Sequence, residues 1–132
     1  MTDDEFLHAF TTATLANEQF HHRDHLRMTW LMLRRLGLEA GTEAIVSGIQ
    51  HFAGAHGHAP KYHETMTRFW IWLVDHAMRA RPEISSFEDF LSAFPTVLDK
   101  ALPFRHWSHE RLMSPAARAA WVDPDLLALP AA

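Results

Sequence analysis

The chain has no cysteine among its 132 residues. That excludes a disulfide framework, an iron–sulfur cluster, a thiolate zinc site and a cysteine nucleophile. No apolar run approaches the roughly 18 residues of a membrane span. The start, MTDDEF, is acidic and polar, without the basic opening and apolar stretch of a signal peptide. The expected setting is the cytoplasm, with no membrane partner. Basic residues number 12 against 16 acidic ones, a net charge of −4. A nucleic-acid binder needs a basic footprint. The local group Arg23, Arg27, Arg34 and Arg35 reads instead as a solvated helix face, so no nucleic-acid partner is expected.

Several catalytic signatures are missing as well. There is no Gly-rich phosphate loop, no HExxH and no nucleophile elbow. The paired helix-borne ExxH ligands of di-iron bundles are also absent, with Glu18 and His21 the nearest approach. Proline is sparse before residue 82, and four of the seven prolines (Pro103, Pro115, Pro124 and Pro130) follow residue 100. The first 80 residues therefore read as a regular scaffold and the rest as shorter pieces.

What is present is a chain 48% hydrophobic. That is enough for one core, and residues 1–132 are expected to form a single helical domain. A first helix is predicted from about Asp3 to Ala16, with Thr2 and Glu5 at capping-box spacing and Phe6, Ala9, Phe10, Ala13 and Leu15 as its stripe. A second carries HLRMTWLMLRRLG, with Asp24 as N-cap or an earlier start near Gln19, and Gly37 ends it. A third covers roughly 42 to 55. A fourth runs from about Tyr62 to Arg79, with Met66, Phe69, Trp70, Leu73 and Ala77 inward. Ser86, Pro95, Ser108 and Ser114–Pro115 open short pieces afterwards. No stretch alternates with period two. The fold class is all-α, an up-and-down bundle of about four main helices plus short C-terminal helices.

Histidine is the abundant oddity: 11 residues, against two lysines and one tyrosine. Adding 11 protons to a charge of −4 gives +7, so acidification should matter to this protein. In an up-and-down bundle, His21, His22, His25, His51, His56, His58 and His63 map to one pole. Imidazoles with a carboxylate suit Zn, Fe, Cu and Ni. His21 and His25 share a helix face at i, i+4, and His22 and His25 at i, i+3. The bland alternative is that each is structural: His56 and His58 as solvated loop residues, His51 as a favourable C-terminal charge.

The block KYHETMT (61–67) holds the only tyrosine, Tyr62, followed by His63, Glu64, Thr65 and Thr67. It reads either as a capped helix start with local threonine hydrogen bonds or as a functional cluster. In the second case Glu64 is a base or ligand and Tyr62 a donor to substrate.

FHHRDHL (20–26), KYHETMT (61–67) and SPAARAAWVDPDLL (114–127) resemble a group of short, uncharacterised bacterial proteins over nearly the whole length. The resemblance implies no activity. It directs attention to His22, Asp24, His25, His63 and Glu64. Where those proteins carry an aromatic pair before the serine, this chain has His106 and Trp107, which argues against His106 as a ligand common to the group. DinB-like metal-binding bundles also gather histidines between helices, but with different spacing, so that likeness is one of fold alone.

The expectation is a small-molecule enzyme, a hydrolase or oxygenase, with a metal-dependent pocket at one end of the bundle. His22, His25, His63 and His21 would bind a divalent transition metal (Zn, Fe, Mn, Ni or Cu). Glu64 or Asp24 would be the acid–base group, and Arg23 and Tyr62 would contact substrate. One rival is a metal-free enzyme using His63 and Glu64. Another is a non-catalytic ligand- or partner-binding module. The apolar flank Ile71, Trp72 and Val74, with Met28, Leu31 and Met32, would then be core, a partner surface or a homodimer contact.

Overall fold

The computed structural model describes residues 1–130, and among them every regular element is helical. The chain forms two compact units, Met1–Tyr62 and His63–Ala132.

The first unit begins with α1 (Asp3–Thr11). Thr2 Oγ1 accepts from the Glu5 N–H, and the Glu5 carboxylate accepts from the Thr2 N–H, so the expected capping box forms. The helix stops at Thr11, short of the predicted Ala16. The Thr12 N–H and hydroxyl both turn back to the His8 carbonyl, at 3.0 and 2.7 Å. Ala13 then takes a positive φ of 56°, and the N–H groups of Thr14 and Leu15 both donate to the Ala9 carbonyl. Leu15, expected on the stripe of a continuing helix, is buried just after this reversal instead. Asn17 opens a short 3₁₀ turn, Asn17–Gln19.

The long α2 (His22–Ala55) is two helical arms joined at Gly37, which has φ 82° and ψ 177°. That conformation is accessible essentially to glycine alone. The chain folds back there, as the approach of Phe20 to Phe52 shows, with ring centroids 4.8 Å apart. Gly37 therefore ends the second predicted helix, and the third starts directly at Leu38 rather than near residue 42. Met28, Leu31 and Met32 are buried core, with Leu26, Trp30, Leu33, Ile45 and Phe52. α1 packs on α2 through ion pairs, among them Arg35 with Asp4 at 2.6 Å, and through ring contacts. Arg27 grips Asp3 at 2.8 Å while its guanidinium lies 4.5 Å over the Phe6 ring. Further along, Phe10 enters the space left by Gly48, where a Cβ would stand 2.6 Å from the ring.

The second unit holds α3 (Glu64–Ala80), α4 (Phe87–Ala93), α5 (His109–Leu112) and α6 (Pro115–Ala119). Two 3₁₀ turns, Pro95–Leu98 and Leu102–Arg105, lie between α4 and α5. Ser86, Ser108 and Ser114 each cap the helix expected of them, accepting from Asp89, Arg111 and Ala117 N–H groups. The core is Phe69, Trp107 and Leu112, with Met66, Trp70, Trp72 and Leu73 packed on it. Trp107 stands edge-on to Phe69 at 5.5 Å. Ile71 and Val74 are buried interior, while Trp72 is half-buried and stacks with His76 at 5.1 Å.

Candidate functional site

His21 precedes α2 as its N-cap, and His22 is the first helical residue. Asp24, expected at the N-cap itself, sits three residues inside it. Its Oδ2 accepts from the His21 N–H at 3.0 Å, which satisfies an orphan donor and places negative charge at the positive helix end. Arg23 lies exposed between them, while His22, Asp24 and His25 are half-buried.

His25 lies on the Phe20 ring, with centroids 3.8 Å apart and planes 27° from parallel. Phe20 in turn meets Phe10 and Phe52, and Phe52 meets His56 at 4.4 Å. The rings thus run His25, Phe20, Phe52, His56, with one histidine at each end. The turn at Gly37 therefore brings the start and finish of α2 together within this unit. Burial among these rings pushes the His25 pKa down to about 4, and the neighbouring His22 lowers it further. The imidazole is neutral across the physiological range. His56 ends the row with a buried Nε2 that has no hydrogen-bond partner.

The second expected cluster has a different character. His63 is the N-cap of α3 and is buried. Its Nδ1 accepts from the Met66 N–H at 3.1 Å, and its Nε2 donates to the Leu112 carbonyl at 2.6 Å. The first bond requires a bare Nδ1 and the second a protonated Nε2, so one neutral tautomer is selected. Burial lowers the His63 pKa; the Leu112 bond opposes that shift, and the nearby Arg118 adds to it. Both ring nitrogens are committed, so a metal or a transferred proton would have to displace a backbone partner. Glu64 pairs with Arg68 at 2.8 Å, one helical turn on. Thr65 is fully buried and donates to the Ala120 carbonyl at 2.9 Å while accepting from the Val122 N–H. The expected local threonine bond is thus a bond across 55 residues of sequence. Tyr62 is half-buried at the end of the first unit, its N–H donating to the Ala59 carbonyl.

The partners of these groups leave little signal in the sequence. Phe20 was legible only as part of the block FHHRDHL, and nothing marks the Leu112 or Ala120 carbonyl as an acceptor. Ser108, the expected cap, has a second role that no motif marks: its hydroxyl donates to Asp125 Oδ2 at 2.7 Å. His106 Nδ1 donates to the Leu127 carbonyl, 2.9 Å away.

Among the described residues, no group of three His, Cys, Asp or Glu side chains is arranged to hold a metal ion. His22 and His25 lie three residues apart on one helix, and both His63 ring nitrogens are hydrogen-bonded to backbone. None of the helices among the described residues is long and apolar enough to cross a membrane. No family model, curated protein or solved structure matches the chain.

Proposed function

We propose that the first turn of α2 is the working site of a small-molecule enzyme, and that His22 and His25 are its central groups. The observation that carries this is the His25 ring, held neutral against Phe20 with His22 one turn away. A neutral imidazole is the form that binds a metal or accepts a proton. Because its pKa is about 4, no proton competes for it near neutrality. The pair fits a borderline divalent cation (Zn, Fe, Mn, Ni or Cu) by donor type, with water or substrate filling the remaining positions. Such an ion would supply Lewis-acid polarisation or an activated water.

The chain's own residues would do the rest. His21 is the further imidazole on this turn. Asp24 fixes the helix start and is the nearest carboxylate in sequence. Arg23 carries a cation suited to an anionic or polar substrate, and Tyr62 is the second candidate contact. Glu64 is the carboxylate of the other cluster. An up-and-down bundle, a cytoplasmic setting and kinship with the proteins sharing the FHHRDH and YHET blocks belong to the same proposal.

A second proposal, a ligand-binding module without chemistry, draws on the other cluster. The densest block of functional side chains, KYHETMT, spends His63 and Thr65 on anchoring the C-terminal segment.

Elemental analysis by mass spectrometry on tag-free protein separates these. The native chain should carry or take up near-stoichiometric transition metal, the His22→Ala, His25→Ala double variant should lose it, and Thr65→Val should keep it. A folded native chain that takes up none on titration overturns the metal proposal and leaves the binding module.

A further inference from the structure

After α6 there is no further helix among the described residues. Ala120 is extended, with φ −156° and ψ 165°, and the segment from there to Leu127 runs as a strap over the rest of the second unit. Side chains of the body hold it largely by reading its backbone. Thr65 binds the Ala120 carbonyl and the Val122 N–H. The Trp107 indole N–H donates to the Val122 carbonyl at 3.0 Å, and Arg111 Nε donates to the Asp123 carbonyl at 2.6 Å. The His106 carbonyl accepts from the Leu126 N–H, and its ring meets the Leu127 carbonyl. One strap side chain is held by hydrogen bonds from the body, since Asp125 takes both the N–H and the hydroxyl of Ser108, at 2.8 and 2.7 Å, while Trp121 packs edge-on to Trp107 at 5.4 Å and Val122 packs on the core. The strap meanwhile leaves Trp121, Leu126 and Leu127 exposed, at 40%, 61% and 57%.

This is the arrangement by which proteins recognise an extended peptide: main-chain hydrogen bonds for affinity and one or two side-chain sites for selection. We propose that the face bearing Thr65, Trp107, Ser108 and Arg111 is an extended-peptide groove, filled here by the chain's own strap, and that a second copy's strap can fill it instead. The contacts made in trans are those already made in cis, so exchange costs little beyond association, the usual basis of segment swapping. The hinge is the Ala119–Ala120 junction, where the helix ends and the extended backbone begins. The exposed Trp121, Leu126 and Leu127 are apolar surface that two exchanged straps would cover.

The absence of native cysteine makes a direct test available. Two full-length variants, Ser108→Cys and Asp125→Cys, are mixed at high concentration, equilibrated, diluted and oxidised. Exchange predicts a disulfide-linked heterodimer at several times the yield given by Arg34→Cys mixed with Asp125→Cys. A yield equal to that control overturns the proposal. Sedimentation of the unsubstituted chain supplies a second readout should either variant fail to fold. A dimer that grows with concentration and dissociates slowly is expected; a monomer at every concentration overturns the proposal.

Discussion

His63 and Leu112, 49 residues apart in sequence, are joined by a 2.6 Å hydrogen bond between an imidazole Nε2 and a backbone carbonyl. The same ring caps α3 through Nδ1. Two segments of the second unit thus depend on one tautomer of one side chain. His63→Ala removes a cap, worth about 1 kcal/mol. It also strands a carbonyl, at about 1–3 kcal/mol. The expected loss is roughly 2–4 kcal/mol, read as a lower urea midpoint with unchanged slope. His63→Asn should recover part of it, because a short amide can cap but cannot reach Leu112. Equal stability of the Ala and Asn variants would contradict the double role.

The His25 pKa, depressed to about 4, ties stability to pH. Unfolded, the imidazole takes a proton near 6.5; folded, it resists protonation down to about 4. The stabilisation is therefore complete above 6.5 and drains away as pH falls through that window. At about 1.4 kcal/mol per unit, the loss reaches roughly 3 kcal/mol. His63 is shifted in the same direction and adds to it. Unfolding free energies at pH 7.5 and 4.5 should differ markedly for the native chain. His25→Leu keeps an apolar body against Phe20 but has no titrating group, so its difference should be smaller by most of that amount. A native-sized pH dependence in His25→Leu would rule His25 out as the source.

Local features of the fold were legible because they are local. A serine followed by a proline, or Thr2 three residues before Glu5, sets its hydrogen bonds within one turn. The end of α1 was not legible: Phe10, Ala13 and Leu15 extend the apolar stripe, but the chain reverses at Ala13, which adopts a left-handed conformation. The pairing of His22 with His25 follows from helical spacing. Their setting against Phe20 does not, because it depends on where the turn at Gly37 brings the two arms of α2. The roles of His63 and Thr65 were the least legible, since their partners are backbone carbonyls that carry no residue identity.

Gly37 should tolerate no other residue. A Cβ there meets nothing within 4 Å, so space is not the constraint. Its backbone, at φ 82° and ψ 177°, is. Gly37→Ala should cost about 1–3 kcal/mol through strain alone. The loss should appear without any change in the near-ultraviolet signal of the aromatic core, because no packed side chain is disturbed. A neutral substitution would mean that the turn is made some other way.

Gly48 should fail for the opposite reason. Its backbone is ordinary helix, where alanine is favoured by roughly 1 kcal/mol. The added Cβ, however, would stand 2.6 and 2.9 Å from two atoms of the Phe10 ring. That ring is fully buried and locked between Phe20 and Phe52, at 5.2 and 5.8 Å, so it cannot swing aside without disturbing both. Overpacking of this kind costs about 1–3 kcal/mol, which outweighs the gain in helix propensity. Gly48→Ala should therefore destabilise the chain, and the second substitution Phe10→Leu should relieve much of that cost. Because Phe10 packs on Phe20, which carries His25, Gly48→Ala should also shift the His25 ring resonances in an NMR spectrum. Additive stabilities for the two substitutions, with the His25 resonances unmoved, would show that the clash is absorbed elsewhere and that the row of rings does not transmit it.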